Sequence, residues 1–240
     1  TKTQLVQHNI EAELRTVTVM FIKIDSFDMS LLIDTSLVKE GRKTTRYDPA
    51  FGFLDRTENE QTADQLILLR LQRCMEVLHR AIYDHGGQLR QFIVDDKGTV
   101  CIASFGLRGS VNEDNAANAL EAANTVIREL QEQGLGSSIG VTTGKVYCGL
   151  VGSMMRHEFA LMGPSVNLSA RLMGKATLGS ILCDHETMQR DRAHDFKHVG
   201  DIKAKGYELP VPTYRQATEG SGKVPYGSLS FGSLRPFLKK

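Results

Sequence analysis

No run of about 18 apolar residues occurs anywhere in this chain, so no segment has the length and character of a bilayer-spanning helix. Nothing at its start reads as a signal peptide. The four cysteines, Cys74, Cys101, Cys148 and Cys183, form neither a Cys-x-x-Cys pair nor a Cys/His zinc spacing. They read instead as buried thiols of a reducing, cytoplasmic compartment. An excess of one charge is missing too: 29 basic residues face 28 acidic ones, leaving a formal net charge of +1. No overall field then draws the molecule to nucleic acid or anionic lipid, and any anion site has to be local. What is present, 240 residues that are 41% hydrophobic and 24% charged, suits one large globular domain, or a domain with appendages, and supplies ample material for a core. The chain opens on Thr1 and not on Met, as a domain cut from a longer polypeptide would.

Periodicity divides the chain into alternating elements. Residues 4–14 read as a short N-terminal helix, and 15–27 (RTVTVMFIKIDSF), rich in β-branched and aromatic residues, as a strand. Residues 34–62 are polar, carry Gly41, Pro49 and Gly52, and show no period; they are expected to form a long loop or insertion. Apolar positions at helical spacing over 64–83 end at Gly86 and Gly87. QLRQFIVDD and GTVCIASFG follow as two strands joined by a turn at Asp95–Gly98. An Ala-rich helix is predicted over 113–132. LGSSIGVTTGKVYCGLVG then reads as a strand, a turn at Thr143 and Gly144, and a second strand. HEFALMG gives a further strand, and 165–174 a helix. This pattern predicts an α+β sandwich and not a doubly wound sheet. From residue 216 onward the chain is Gly- and Ser-rich, ends in basic residues, and is expected to be a flexible tail.

One pair of residues raises a chemical question. In GPSVNLSARL, Asn167 and Arg171 are four apart on the expected helix and so share a face. An ordinary surface helix whose Arg171 pairs with a local carboxylate would account for the arrangement; so would a site for a phosphate.

Four stretches decide between these: VTVMFIKIDSF (17–27), HGGQLRQFIVDD (85–96), SIGVTTGKVYCGLVG (138–152) and RHEFALMGPSVNLSARLM (156–173), followed by AKGYELPVPTY (204–214). In this order, across about four fifths of the chain, they resemble the catalytic domain of the class III nucleotidyl cyclases. Within that family the likeness runs to the second-type half of the soluble, bicarbonate-responsive adenylyl cyclases. The resemblance implies a ferredoxin-like βαββαβ sandwich with an antiparallel sheet and helices on one face. It would occupy residues 16–215, with residues 1–15 as a leading helix or linker. It also implies dimerisation with a second cyclase domain and conversion of ATP to cyclic AMP and pyrophosphate. Closing the ribose 3'-oxygen onto the α-phosphate develops charge on crowded oxygens, which divalent metals and fixed cations must hold.

Site residues follow from the resemblance, position by position. Asn167 would orient the ribose or its water, and Arg171 would stabilise the transferring phosphate with its planar fork of donors. Lys205 matches the lysine that grips the terminal phosphates, with Lys203 as the fallback. Gln91 and Ala160 stand at the base-selecting positions, where adenylyl cyclases have Lys and Asp or Thr. An amide can still bond either purine, while alanine offers no polar group. Lys23 replaces the first metal-binding Asp, and an ammonium there repels a divalent cation. Asp25 is about 6.6 Å further along the strand, too far for a simple rescue. Asp95 falls on the second metal position but is also an ordinary turn residue.

The chain is therefore expected to supply the Asn/Arg/Lys half of a cleft whose Mg²⁺ or Mn²⁺ is held mainly by a partner domain. Alone it should be inactive or weak. A degenerate cyclase-like module for dimerisation or nucleotide sensing is the alternative, a guanylyl cyclase the next; Gln91 and Arg171 are also open to a bicarbonate-type anion. The Arg156-His157-Glu158 run reads as surface. Met154, Met155, Met162 and Met173 read as core or interface packing.

Overall fold

The computed structural model describes residues 13–25, 45–48, 52–55, 58–95, 98–110, 113–152, 155, 157–204 and 206–217. In chain order the strands and helices are β1 (Glu13–Asp25), β2 (Thr45–Asp48), β3 (Gly52–Asp55), α1 (Glu58–Asp84), β4 (Gly87–Asp95), β5 (Gly98–Phe105) and α2 (Asn115–Glu132). They continue as β6 (Gly136–Gly152), β7 (His157–Met162), α3 (Pro164–Lys175), β8 (Ser180–Asp184), α4 (His185–Arg190), β9 (Phe196–Ile202) and β10 (Val211–Gln216). Eight strands form one sheet in the order β4-β5-β1-β6-β8-β10-β9, with β7 paired to β6. Every pairing is antiparallel except β6 with β8.

The α+β sandwich expected from the sequence is present, and the helices divide between its two faces. Side chains alternate across a strand. On β1, Met20, Ile22 and Ile24 pack with Cys74, Leu78 and Ile82 of α1 and with Ala119, Leu120 and Ala123 of α2. Val17 and Val19 point the other way, towards Val146, Cys148 and the flanking Phe159, Leu161 and Val166. Helix α3 lies on this second face, over Gly140, where a Cβ would overlap the backbone at Ser169 and Met173. Ser169 fastens it, its hydroxyl lying 2.8 Å from Gly140 O and 3.1 Å from Val19 O. Leu168 and Leu172, on the same side of the helix as Ser169, pack against Leu182, Ala204 and Val211. Burying each leucine contributes about 1.5–3 kcal/mol, which fixes which face of α3 remains exposed.

Local expectations change at four places. The turn at Thr143 and Gly144 is absent: β6 runs through it, with Thr143 opposite Thr18 and Gly144 opposite Val17. Gly144 serves close packing, since a Cβ there would stand 3.0 Å from the Ser165 side chain. The segment read as an unstructured insertion holds the β2–β3 hairpin, and α1 begins inside it at Glu58. Glu13 and Leu14, read as the end of a helix, belong to β1 because they pair with Cys148 and Tyr147; residues 1–12 lie outside the described residues. Gln216, taken as the start of the tail, closes β10 and accepts a 2.8 Å hydrogen bond from Asn124. The tail beyond 217 lies outside the described residues. All four cysteines are buried free thiols.

Candidate functional site

Helix α3 is set by Pro164 in its first turn and by the buried Leu168 and Leu172. Asn167 and Arg171 therefore emerge together on an exposed stripe. Arg171 lines a cavity of 460 Å³ with Gly174 and Lys175 of α3, Asp201 and Ile202 of β9, and Lys203 just beyond it. Arg171 and Lys203, far apart in sequence, thus face one space. Asn167 is exposed one turn earlier and is not among the lining residues. Lys205 lies outside the described residues.

A second cavity, of 440 Å³, brings together the two positions at which the family resemblance expects base selection. Gln91 of β4 and Ala160 of β7 line it with Arg90, Ile102, Glu158, Phe159, Leu161 and Val166. Sequence reasoning passed over Arg90. The β4–β5 register shifts between Leu89 and Gln91, a bulge of the kind that re-aims a side chain. Arg90 Nη2 then donates to Phe159 O at 3.0 Å, and its guanidinium carbon stands 4.8 Å from the centre of the Phe159 ring. Its Nε–H is buried without a hydrogen-bond partner. Arg90 thus ties β4 to the β7 arm across two walls of this cavity.

The metal positions look different. Lys23 sits on β1 opposite Val100 and Ser138. Its ammonium is 2.7 Å from Asp25 Oδ1, and Ser138 donates to Asp25 Oδ2 at 3.0 Å. Both oxygens of Asp25 are therefore engaged, so it cannot stand in as a metal ligand without breaking these contacts. Asp95 pairs with Gly98 at the end of β4; its side chain lies outside the described residues. Among the described residues no group of three His, Cys, Asp or Glu side chains could hold a metal ion. The residues present do not fit a divalent cation: an ammonium with its own counter-ion stands where a carboxylate would be needed.

Other polar groups serve the frame. Thr18, Thr143 and Thr187 form a chain of buried hydroxyls 2.9 Å apart. Asp184 caps α4 by accepting from Thr187 N at 3.0 Å, and burial pushes its carboxyl above the usual range. His194 bridges Asp191 and Glu121, a pairing without a sequence signal because Glu121 is on α2. Burial raises the Cys74 thiol to about 11 and pushes Cys101, Cys148 and Cys183 up as well, so none is a ready nucleophile. Arg156, Met154 and the His157 side chain lie outside the described residues. Met155 and Met162 are exposed, which removes them from the core.

Residues 99–217 match the family described as the adenylate and guanylate cyclase catalytic domain. The match covers β5 to β10 and with them Asn167, Arg171 and Lys203; Lys23 and Asp95 fall before it. Among curated proteins, adenylate cyclase type 10 of Rattus norvegicus is 32% identical over 149 residues, covering 59% of this chain and 9% of its own length. The Oryctolagus cuniculus protein of the same name is 35% identical over 149 residues, with the same coverage. The chain thus matches about a tenth of the length of these relatives. Among solved structures, the adenylyl cyclase CyaB from P. aeruginosa superposes with a TM-score of 0.66 at 21% identity, covering 88% of this chain and 98% of that one. The guanylate cyclase domain of RhGC from Catenaria anguillulae, in complex with GTP, gives 0.60 at 18% identity, covering 88% and 100%. At such identities the likeness concerns the fold. The chain carries a catalytic domain of the class III adenylyl and guanylyl cyclase family.

Proposed function

We propose that this cyclase-family chain is the anion-gripping half of an adenylyl cyclase, working in a cleft shared with a second cyclase domain. That cleft converts ATP to cyclic AMP and pyrophosphate. The observation that carries this reading is the contrast between two places on the chain. Arg171 and Lys203 face one cavity without a carboxylate bound to either among the described residues, while Lys23 and Asp25 neutralise each other where metal carboxylates would be required.

In this reading Arg171 presents its fork of donors to the phosphate being transferred, whose oxygens gain charge as the 3'-oxygen attacks. Asn167, one turn away, orients the ribose. Lys203, with Lys205, neutralises the departing pyrophosphate. The purine lies in the cavity between β4 and β7, where the Gln91 amide can turn to suit adenine. The divalent metal, Mg²⁺ or Mn²⁺, belongs to the partner domain. The adenylate cyclase names of the relatives support ATP as the substrate.

Docking of the partner is supported by an exposed apolar row across three strands. Leu14 of β1, Tyr147 of β6 and Met162 of β7 are direct cross-strand neighbours, 69%, 42% and 47% exposed. Such a contiguous row is unusual on a surface that meets only water.

A second reading has an observation of its own. Lys23, Gln91 and Ala160 together are what a cyclase-like module without turnover would carry, serving dimerisation or nucleotide sensing. One experiment separates them: the chain is mixed with a cyclase domain that bears both metal carboxylates, together with Mn²⁺ and ATP. Cyclic AMP formation that falls about a hundredfold in Arg171→Ala supports the catalytic half. Silence with such partners, alongside retained nucleotide binding, supports the module.

A further inference from the structure

We infer that Lys175 is the third cation of a polyphosphate pocket on this chain. The inference rests on the reading of Arg171 as a phosphate ligand, and it adds a residue to it. Asn167, Arg171 and Lys175 are four apart along α3 and so form one stripe. Arg171 and Lys175 line the 460 Å³ cavity from the helix side, and Lys203 lines it from the end of β9.

Three positive charges around one cavity repel one another unless something compensates them. Among the described residues, none of the three forms an ion pair. The carboxylate in the lining, Asp201, is turned to His198, with Nε2 2.8 Å from Oδ1. Within that described set the pocket is a cluster of unpaired cations, two on α3 and one just past β9, on a chain whose net charge is only +1. A linear polyphosphate suits it, because its successive anionic groups can meet a guanidinium and two ammonium groups in turn. A cation near the C-terminal end of a helix also interacts favourably with the helix dipole, so the decisive readout is anion binding and not helix stability.

In the shared cleft the divalent metal comes with the partner domain, so the contribution of this chain's three cations is isolated by removing metal ions from the measurement.

The test is isothermal titration of the whole chain with inorganic tripolyphosphate in excess EDTA. Saturable binding is expected. Lys175→Ala should weaken it about fivefold, the size of one exposed charge contact, while Lys175→Arg retains it and circular dichroism stays unchanged. ATP and pyrophosphate, titrated in parallel, distinguish substrate from product as the natural source, and tighter binding of either supports the pocket. Absence of binding in EDTA, or a Lys175→Ala chain that binds as tightly as the parent, overturns the inference. Either result leaves the cyclase reading standing, since that reading fails separately, when Arg171→Ala leaves cyclic AMP formation intact in the mixed assembly.

Discussion

Lys23 Nζ lies 2.7 Å from Asp25 Oδ1, two residues along the same strand. The residues share a face of β1 because side chains alternate with a period of two. The ion pair is partly exposed, so it adds little to stability. The consequence we propose for it is electrostatic exclusion of a divalent cation.

Replacing the lysine tests that exclusion. Lys23→Asp turns one repulsive charge into an attractive one beside Asp25. Mn²⁺ binding, followed by electron paramagnetic resonance, should strengthen by at least about tenfold over the parent chain. A parent chain that already binds Mn²⁺ as well as the variant would show that Lys23 is no barrier.

Gly140 is where β6 and α3 touch. A Cβ at this position overlaps Ser169 O and Met173 N, which are backbone atoms that cannot swing aside. Gly140→Ala should therefore cost about 2–3 kcal/mol in urea unfolding, with α3 and its exposed stripe displaced. An unchanged midpoint would mean the helix is loosely seated.

Arg90→Met keeps the stem while removing the hydrogen bond to Phe159 O and the contact with the Phe159 ring. It also removes an unpartnered buried N–H, which offsets part of the loss. A net destabilisation of about 1 kcal/mol is expected. A variant as stable as the parent would mean these contacts contribute nothing net.

His194 links pH to stability. Its Nδ1 is 2.8 Å from Asp191 Oδ2 and its Nε2 is 2.7 Å from Glu121 Oε1, and both nitrogens can donate only in the imidazolium form. Burial works against that charge. The hydrogen bond and charge of Asp191, then those of Glu121, outweigh it and raise the pKa above the ordinary 6.5. A raised folded-state pKa means the stabilisation is fully present below about pH 6.5 and fades as pH rises through the folded value. Urea unfolding at a series of pH values should show this decline in the parent and a flatter profile in His194→Gln. Equal slopes would remove His194 as the cause.

Local pattern made much of this protein legible. The β-branched run at 17–24 could only be a strand, and the 3.6-residue period over 64–83 could only be a helix, because each buries one face at its own spacing. The four-residue step from Asn167 to Arg171 puts both on one side of α3 by helical geometry alone. The Thr143–Gly144 turn failed for a physical reason: a glycine inside a strand looks the same in sequence whether it bends the chain or admits a helix, and here Ser165 occupies the space a Cβ would fill. The bulge that aims Arg90 had no local signal either, since it depends on the register of β4 against β5.

What the amino-acid order determined by itself was the identity of the charges: an ammonium at 23 and a guanidinium at 171. What only the tertiary structure decided was which charges share a space. Lys203 is 32 residues from Arg171 in the chain, yet the packing of α3 against the sheet brings both to one cavity with Lys175. Periodicity fixes the face a side chain leaves from, but the neighbours it meets depend on how separate elements bury their apolar faces against each other.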